Sequence, residues 1–187
     1  LGVPRRGCSP PRVVALPQGR DAARGRRAGR DQLASRESRA RPAEGERQAR
    51  EVGDFLRKQN ITIDAVLCSS AVRAQQTLEL LQLDDQLDPN RVDIADRFYN
   101  AGGDTLLEAV RVLPDDCKVA LIVGHAPGAP GLVHEMTDAA SSTPEAVDAI
   151  ESRFPAATLA QLVFEADWSH AESGSLVAVR MPGQSST

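Results

Sequence analysis

The chain has 187 residues and a formal net charge of −4, enough for one domain with a sizeable hydrophobic core. It has no apolar run near the roughly 18 to 20 residues of a membrane span and no apolar stretch suited to a secretory signal, so a soluble cytoplasmic protein, not a membrane protein, is expected. The cysteines Cys8, Cys68 and Cys117 are odd in number and scattered in spacing, which argues against a disulfide framework or a metal knuckle.

The charge is unevenly divided: residues 1–50 hold 13 Arg and 5 acidic residues, whereas residues 51–187 hold 9 basic and 21 acidic ones. In the first 50 residues, Arg, Ala, Gly and Pro make up 32 positions, Lys is absent, and no aromatic precedes Phe55. This divides the chain into an atypical segment, 1–43, and a globular domain, 44–187. GC-rich DNA read in the wrong frame gives that composition, and so few large apolar side chains cannot build a core, so the segment is expected to be either a frame or start error or a disordered basic arm. With no Lys and no interleaved aromatics, it is not expected to bind nucleic acid. Within it, Val13-Val-Ala-Leu16 is a candidate strand.

From Glu46 the pattern becomes globular. Ala49, Val52, Phe55 and Leu56 recur at helical spacing up to Lys58, and Asn60 offers a stop. Ala65-Val-Leu-Cys68 reads as a strand covered on both faces, and a helix with Ala74, Leu78 and Leu81 on one side follows it. Next come a weak strand over 92–95 and a helix opened by Thr105-Leu-Leu-Glu108, a capping-box pattern, ending near Pro114. Val119-Ala-Leu-Ile-Val123 is the strongest strand, and it breaks at Gly124-His125-Ala126-Pro127-Gly128 into a helix carrying Leu132, Val133 and Met136. A polar loop over 138–144, a helix over 144–153 and strands over 159–164 and 176–179 complete the chain. Helices alternating with apolar strands imply an α/β three-layer sandwich, a mainly parallel sheet flanked by helices.

In such a sheet, ligands sit beyond the carboxyl ends of the strands, where strand-to-helix turns converge. The turn after the 65–68 strand brings Ser69, Ser70 and Arg73; the turn after the 119–123 strand brings Gly124 and His125. Helix N-termini favour anions there, and a guanidinium matches phosphate oxygens bidentately. The crevice is therefore expected to bind phosphate through Arg73, His125 and Ser69.

At these residues the chain resembles the histidine phosphatase superfamily, which includes phosphoglycerate mutases. Cys68-Ser-Ser-Ala-Val-Arg-Ala-Gln-Gln-Thr77 is similar to its S-P-x-x-R-A-x-Q-T element, and Val123-Gly-His-Ala-Pro-Gly128 to its second histidine element. Arg97-Phe-Tyr99, Phe154-Pro-Ala-Ala157 and Asp167-Trp168 bring the resemblance toward the small SixA-like phosphohistidine phosphatases, over residues 41–182. The resemblance implies a hydrolase that needs neither metal nor cofactor and acts on a phosphorylated small molecule or a phosphohistidine protein. It also implies a mechanism. A histidine in an R-H-G or R-H-A turn after the first strand attacks phosphorus, and water hydrolyses the phosphohistidine, while a second arginine and a second histidine surround the phosphoryl oxygens. Arg73 and His125 match that second pair and are the catalytic candidates.

The nucleophile has no match. The histidines are His125, His134 and His170, and the candidate first strand runs into Pro17-Gln18-Gly19 where R-H-G is expected. Neither Pro nor Gln forms a phosphoenzyme. A non-catalytic phosphate-binding module is therefore the alternative reading. His134 is expected to be structural, His170 solvated, and Tyr99 and Trp168 core packing. Asp104 and Glu108 read as helix-cap residues, which leaves no general acid assigned. A phosphohistidine substrate tolerates that absence, because its leaving imidazole can already carry a proton near neutral pH.

Overall fold

Three uninterrupted apolar runs decide the architecture. The computed structural model describes residues 10–18, 34–83, 85 and 87–183. Its strands are β1 (Arg12–Gln18), β2 (Ala65–Ser69), β3 (Val92–Ala95), β4 (Val119–His125), β5 (Leu159–Val163) and β6 (Ser175–Arg180). They form one sheet in the order β3-β2-β4-β1-β5-β6. The first four strands run parallel, while β5 and β6 are added antiparallel at one side.

Successive side chains of a strand point to opposite faces. Val13 and Ala15 of β1, Leu67 of β2, and Ala120 and Ile122 of β4 therefore face one cluster, shared with α3 (Gly103–Arg111), α4 (Gly128–Met136) and α5 (Pro144–Ser152). Val14, Leu16, Val66, Cys68, Leu121 and Val123 face the other cluster, shared with α1 (Ala34–Lys58) and α2 (Val72–Leu80). The result is the three-layer α/β sandwich that the alternation of helices and strands implied. Trp168 lies in the first cluster, buried as expected, and its indole N–H donates to the Cys117 carbonyl at 2.7 Å. Among the described residues no helix is long and apolar enough to cross a membrane.

Part of the segment before residue 43 can be set beside the structure. Val13, Val14, Ala15 and Leu16 are wholly buried between β4 and β5, so seven residues of the atypical segment form an inner strand. Four adjacent apolar residues suffice for a strand buried on both faces, whatever the composition around them. Helix α1 likewise starts at Ala34 and runs through the expected boundary. Residues 1–9 and 19–33, where disorder was also expected, lie outside the described residues. The capping box is not formed either: α3 begins at Gly103 with Gly102 as its N-cap and no side-chain cap, which puts Thr105 inside the first turn and Asp104 and Glu108 out of a capping role.

Two glycines set close approaches that position the site. A Cβ on Gly53 would lie 2.2 Å from the Leu81 carbonyl oxygen, so α1 packs directly on the end of α2, where the Arg57 guanidinium donates to the Leu81 and Gln82 carbonyls at 2.8 and 3.0 Å. A Cβ on Gly128 would lie 1.8 Å from the Ala101 carbonyl oxygen, so the start of α4 rests against the segment that follows β3.

Candidate functional site

The carboxyl ends of β2 and β3 open on a cavity of about 750 Å³ lined by Ser70, Ala71, Val72, Arg73, Gln76, Asp96 and Tyr99. The β2–α2 turn is fixed by its own side chains. Gln75 Nε2 donates to the Ser70 carbonyl at 2.7 Å, and Thr77 Oγ1 donates to the Arg73 carbonyl at 2.9 Å. Ala74 faces inward, fully buried in the α1–α2 cluster, and this aims the neighbouring Arg73 and Gln76 at the cavity.

Arg73 and His125 meet. The guanidinium Nη2 donates to His125 Nδ1 at 2.9 Å, across 52 positions of sequence. The other ring nitrogen, Nε2, lies 2.7 Å from Ser69 Oγ. His125 is only 3% exposed, and burial first, then the adjacent Arg73 charge, holds its pKa below the ordinary imidazole value. The ring is therefore neutral at pH 7.

Ser69 occupies a different place from a phosphate contact. It is wholly buried, its oxygen is taken up by His125 and by the Ala71 N–H at 3.2 Å, and Ser70 lines the cavity in its stead. Tyr99, expected in the core, is 47% exposed at the cavity wall, with its ring edge-on to His125 at 5.8 Å between centroids. Its position gave a usable signal: Tyr99 follows β3 at the sheet end where both junctions lie. Asp96, from the same segment, also lines the cavity, and no local pattern in the sequence marks it. His134 is exposed on α4 beside Phe154, and His170 is exposed in the turn before β6, 3.0 Å from Ser169 Oγ. Neither is brought to the cavity.

The parallel pairing of β1 with β4 aligns Leu16 with Val123, Pro17 with Gly124 and Gln18 with His125. The end of β1 thus reaches the same end of the sheet as His125, and the residue there is glutamine. Cys68, the cysteine on β2, offers no replacement nucleophile, because burial pushes its thiol pKa up to about 12.

The model of the histidine phosphatase superfamily (branch 1) matches residues 42–99. An uncharacterized protein of Mycobacterium leprae is 30% identical over 154 residues, covering 81% of this chain and 91% of that protein. Among solved structures, a protein assigned as the phosphohistidine phosphatase SixA of Nakamurella multipartitia superposes with a TM-score of 0.68 at 26% identity, over 95% of this chain and 99% of that one. The protein histidine phosphatase SixA complexed with tungstate shares the fold, with a TM-score of 0.62 at 20% identity over 91% of this chain and 97% of that one.

Proposed function

The chain belongs to the histidine phosphatase superfamily, and from that premise we propose that its cavity takes up the phosphoryl group of a phosphohistidine protein or a phosphomonoester, without a metal, and that the chain with Gln18 holds this group without becoming phosphorylated. The observation that carries the reading is the 2.9 Å pairing of Arg73 with His125 at strand ends where β1 presents Gln18 in register with His125. Arg73 supplies a permanent charge and a planar fork for two phosphoryl oxygens. His125 supplies a ring nitrogen beside it.

Covalent transfer requires a nucleophile in line behind phosphorus, so that the bond to the leaving atom breaks as the new bond to nitrogen forms. Glutamine's amide nitrogen has no available lone pair for that attack. His125 has both ring nitrogens committed to Arg73 and Ser69. The catalytic form of the same reading, hydrolysis through a phosphohistidine, needs an imidazole at the end of β1.

The test is to install it. A Pro17→Arg/Gln18→His double variant, incubated with a labelled small phosphodonor and quenched in conditions that preserve phosphohistidine, is expected to accumulate acid-labile label, while the native chain stays blank. Label on His125 of the native chain, or turnover by the native chain equal to that of the double variant, would overturn the reading.

A further inference from the structure

The two ring nitrogens of His125 have different partners, and the chemistry of one partner decides the other. Arginine has only donors, so the nitrogen it meets at 2.9 Å, Nδ1, must present a lone pair. A neutral imidazole carries one N–H, which then sits on Nε2 and points at Ser69 Oγ, 2.7 Å away. The opposite tautomer would set an N–H of the ring against an N–H of the guanidinium. Ser69 Oγ also accepts the Ala71 N–H at 3.2 Å and is wholly buried, and its two lone pairs suffice for both donors.

We infer that Ser69 is a positioning residue: Arg73 sets the tautomer, and Ser69, by accepting the Nε2 proton that this tautomer carries, holds the ring with Nδ1, the nitrogen shared with Arg73, as the ring atom that meets a phosphoryl oxygen. The tautomer follows from this geometry alone, whereas the role of Nδ1 rests on the phosphoryl-binding reading above. When a dianion enters, the Arg73 N–H turns to its oxygens and Nδ1 takes up one proton, from solvent or from the anion, and donates it to an oxygen. No bond to phosphorus forms or breaks in that step. The Nε2–H stays on Ser69 throughout, so the imidazolium is satisfied at both ends. Among the described residues, the groups facing the ring are Ser69 from β2, Arg73 from α2 and Tyr99 from the segment after β3, with Asp96 on the cavity wall that Tyr99 shares.

The experiment is nitrogen-resolved NMR of the histidine side chains in the full chain, with His125 assigned by comparison with His125→Gln, followed by titration with inorganic sulfate, whose charge does not change over the pH range used. In the native chain at pH 8 without sulfate, Nε2 is expected to carry the proton and Nδ1 to be bare; sulfate should protonate Nδ1. Ser69→Ala should keep Nδ1 bare, because Arg73 still faces it, but should need a lower pH for sulfate to protonate the ring and should bind sulfate about three- to tenfold more weakly, the worth of one hydrogen bond. Ser69→Thr, which keeps the hydroxyl, should restore both. A native ring protonated at Nδ1 before sulfate is added would overturn the inference, as would an unchanged ring protonation and sulfate affinity in Ser69→Ala. If Ser69→Ala fails to fold, the native spectrum and the Ser69→Thr titration still decide. A native ring with bare Nδ1 that ignores sulfate would overturn the phosphoryl-binding reading instead, leaving Ser69 as the residue that holds the Nε2–H.

Discussion

Replacing Arg73 by alanine removes the cavity's guanidinium and the donor that holds His125 Nδ1. Hydrogen bonds to charged groups contribute about 1.5 to 3 kcal/mol, so the dissociation constant for sulfate should rise about 10- to 150-fold. Stability should change much less. Arg73 is only partly buried, the Thr77 hydroxyl still finds the main-chain carbonyl of residue 73, and Ala74 still fills the α1–α2 cluster, while the bond to His125 is worth about 1 kcal/mol. Calorimetric titration with sulfate, with a thermal melt of the same sample, separates the two effects. Arg73→Lys should fall between native and alanine, because it keeps the charge and loses the planar fork. A melting temperature that drops while sulfate affinity holds would make Arg73 a structural residue and refute the reasoning.

His125 makes stability depend on pH with a definite sign. Its folded pKa is lowered by burial and by Arg73, so between about 6.5 and that lowered value the unfolded chain binds a proton that the folded chain refuses. Its contribution is complete above the unfolded pKa and declines as pH falls through the window; melting temperatures from pH 8 to 5 should show the decline, and His125→Gln should flatten it. Sulfate affinity should run the other way, rising as pH falls, because the bound form carries the extra proton. Leu16→Ala should destabilise by about 2 to 5 kcal/mol in urea unfolding, the cost of a core truncation, whereas an undocked β1 would leave stability unchanged. Trp168→Phe should cost about 1 to 3 kcal/mol by the same measurement, because it leaves the Cys117 carbonyl without its 2.7 Å donor.

What could be read from sequence was whatever rests on local pattern. The uninterrupted runs at 65–68 and 119–123 announce strands buried on both faces, and the polar turn after each places Arg73 and His125 at one sheet end, where they meet. Position alone does not say which serine of a pair turns inward. That choice depends on β2 keeping its alternation to its last residue, which takes Ser69 behind the ring and leaves Ser70 at the cavity. Tyr99 escaped because rarity suggests packing, while its exposure depends on the turn after an edge strand. The strand at Val13-Val-Ala-Leu16 was visible as a run, yet the Arg-rich composition around it outweighed four residues whose burial only the finished sheet reveals. The capping box failed because Gly102 and Gly103 let α3 start earlier, against α4, than Thr105 would have done alone.

The contact between Gly128 and the Ala101 carbonyl joins the segment that carries Tyr99 to the junction that carries His125 through main-chain atoms. Side chains can change rotamer to admit a larger guest; a carbonyl oxygen pressed on a glycine Cα has no such freedom. The spacing between the tyrosine wall and the histidine is therefore a fixed gauge, set when the chain folds and not when a ligand arrives. On the phosphoryl-binding reading proposed above, a ligand at this wall would be sorted by size and shape, and a single added methyl group at position 128 would shift the two segments apart.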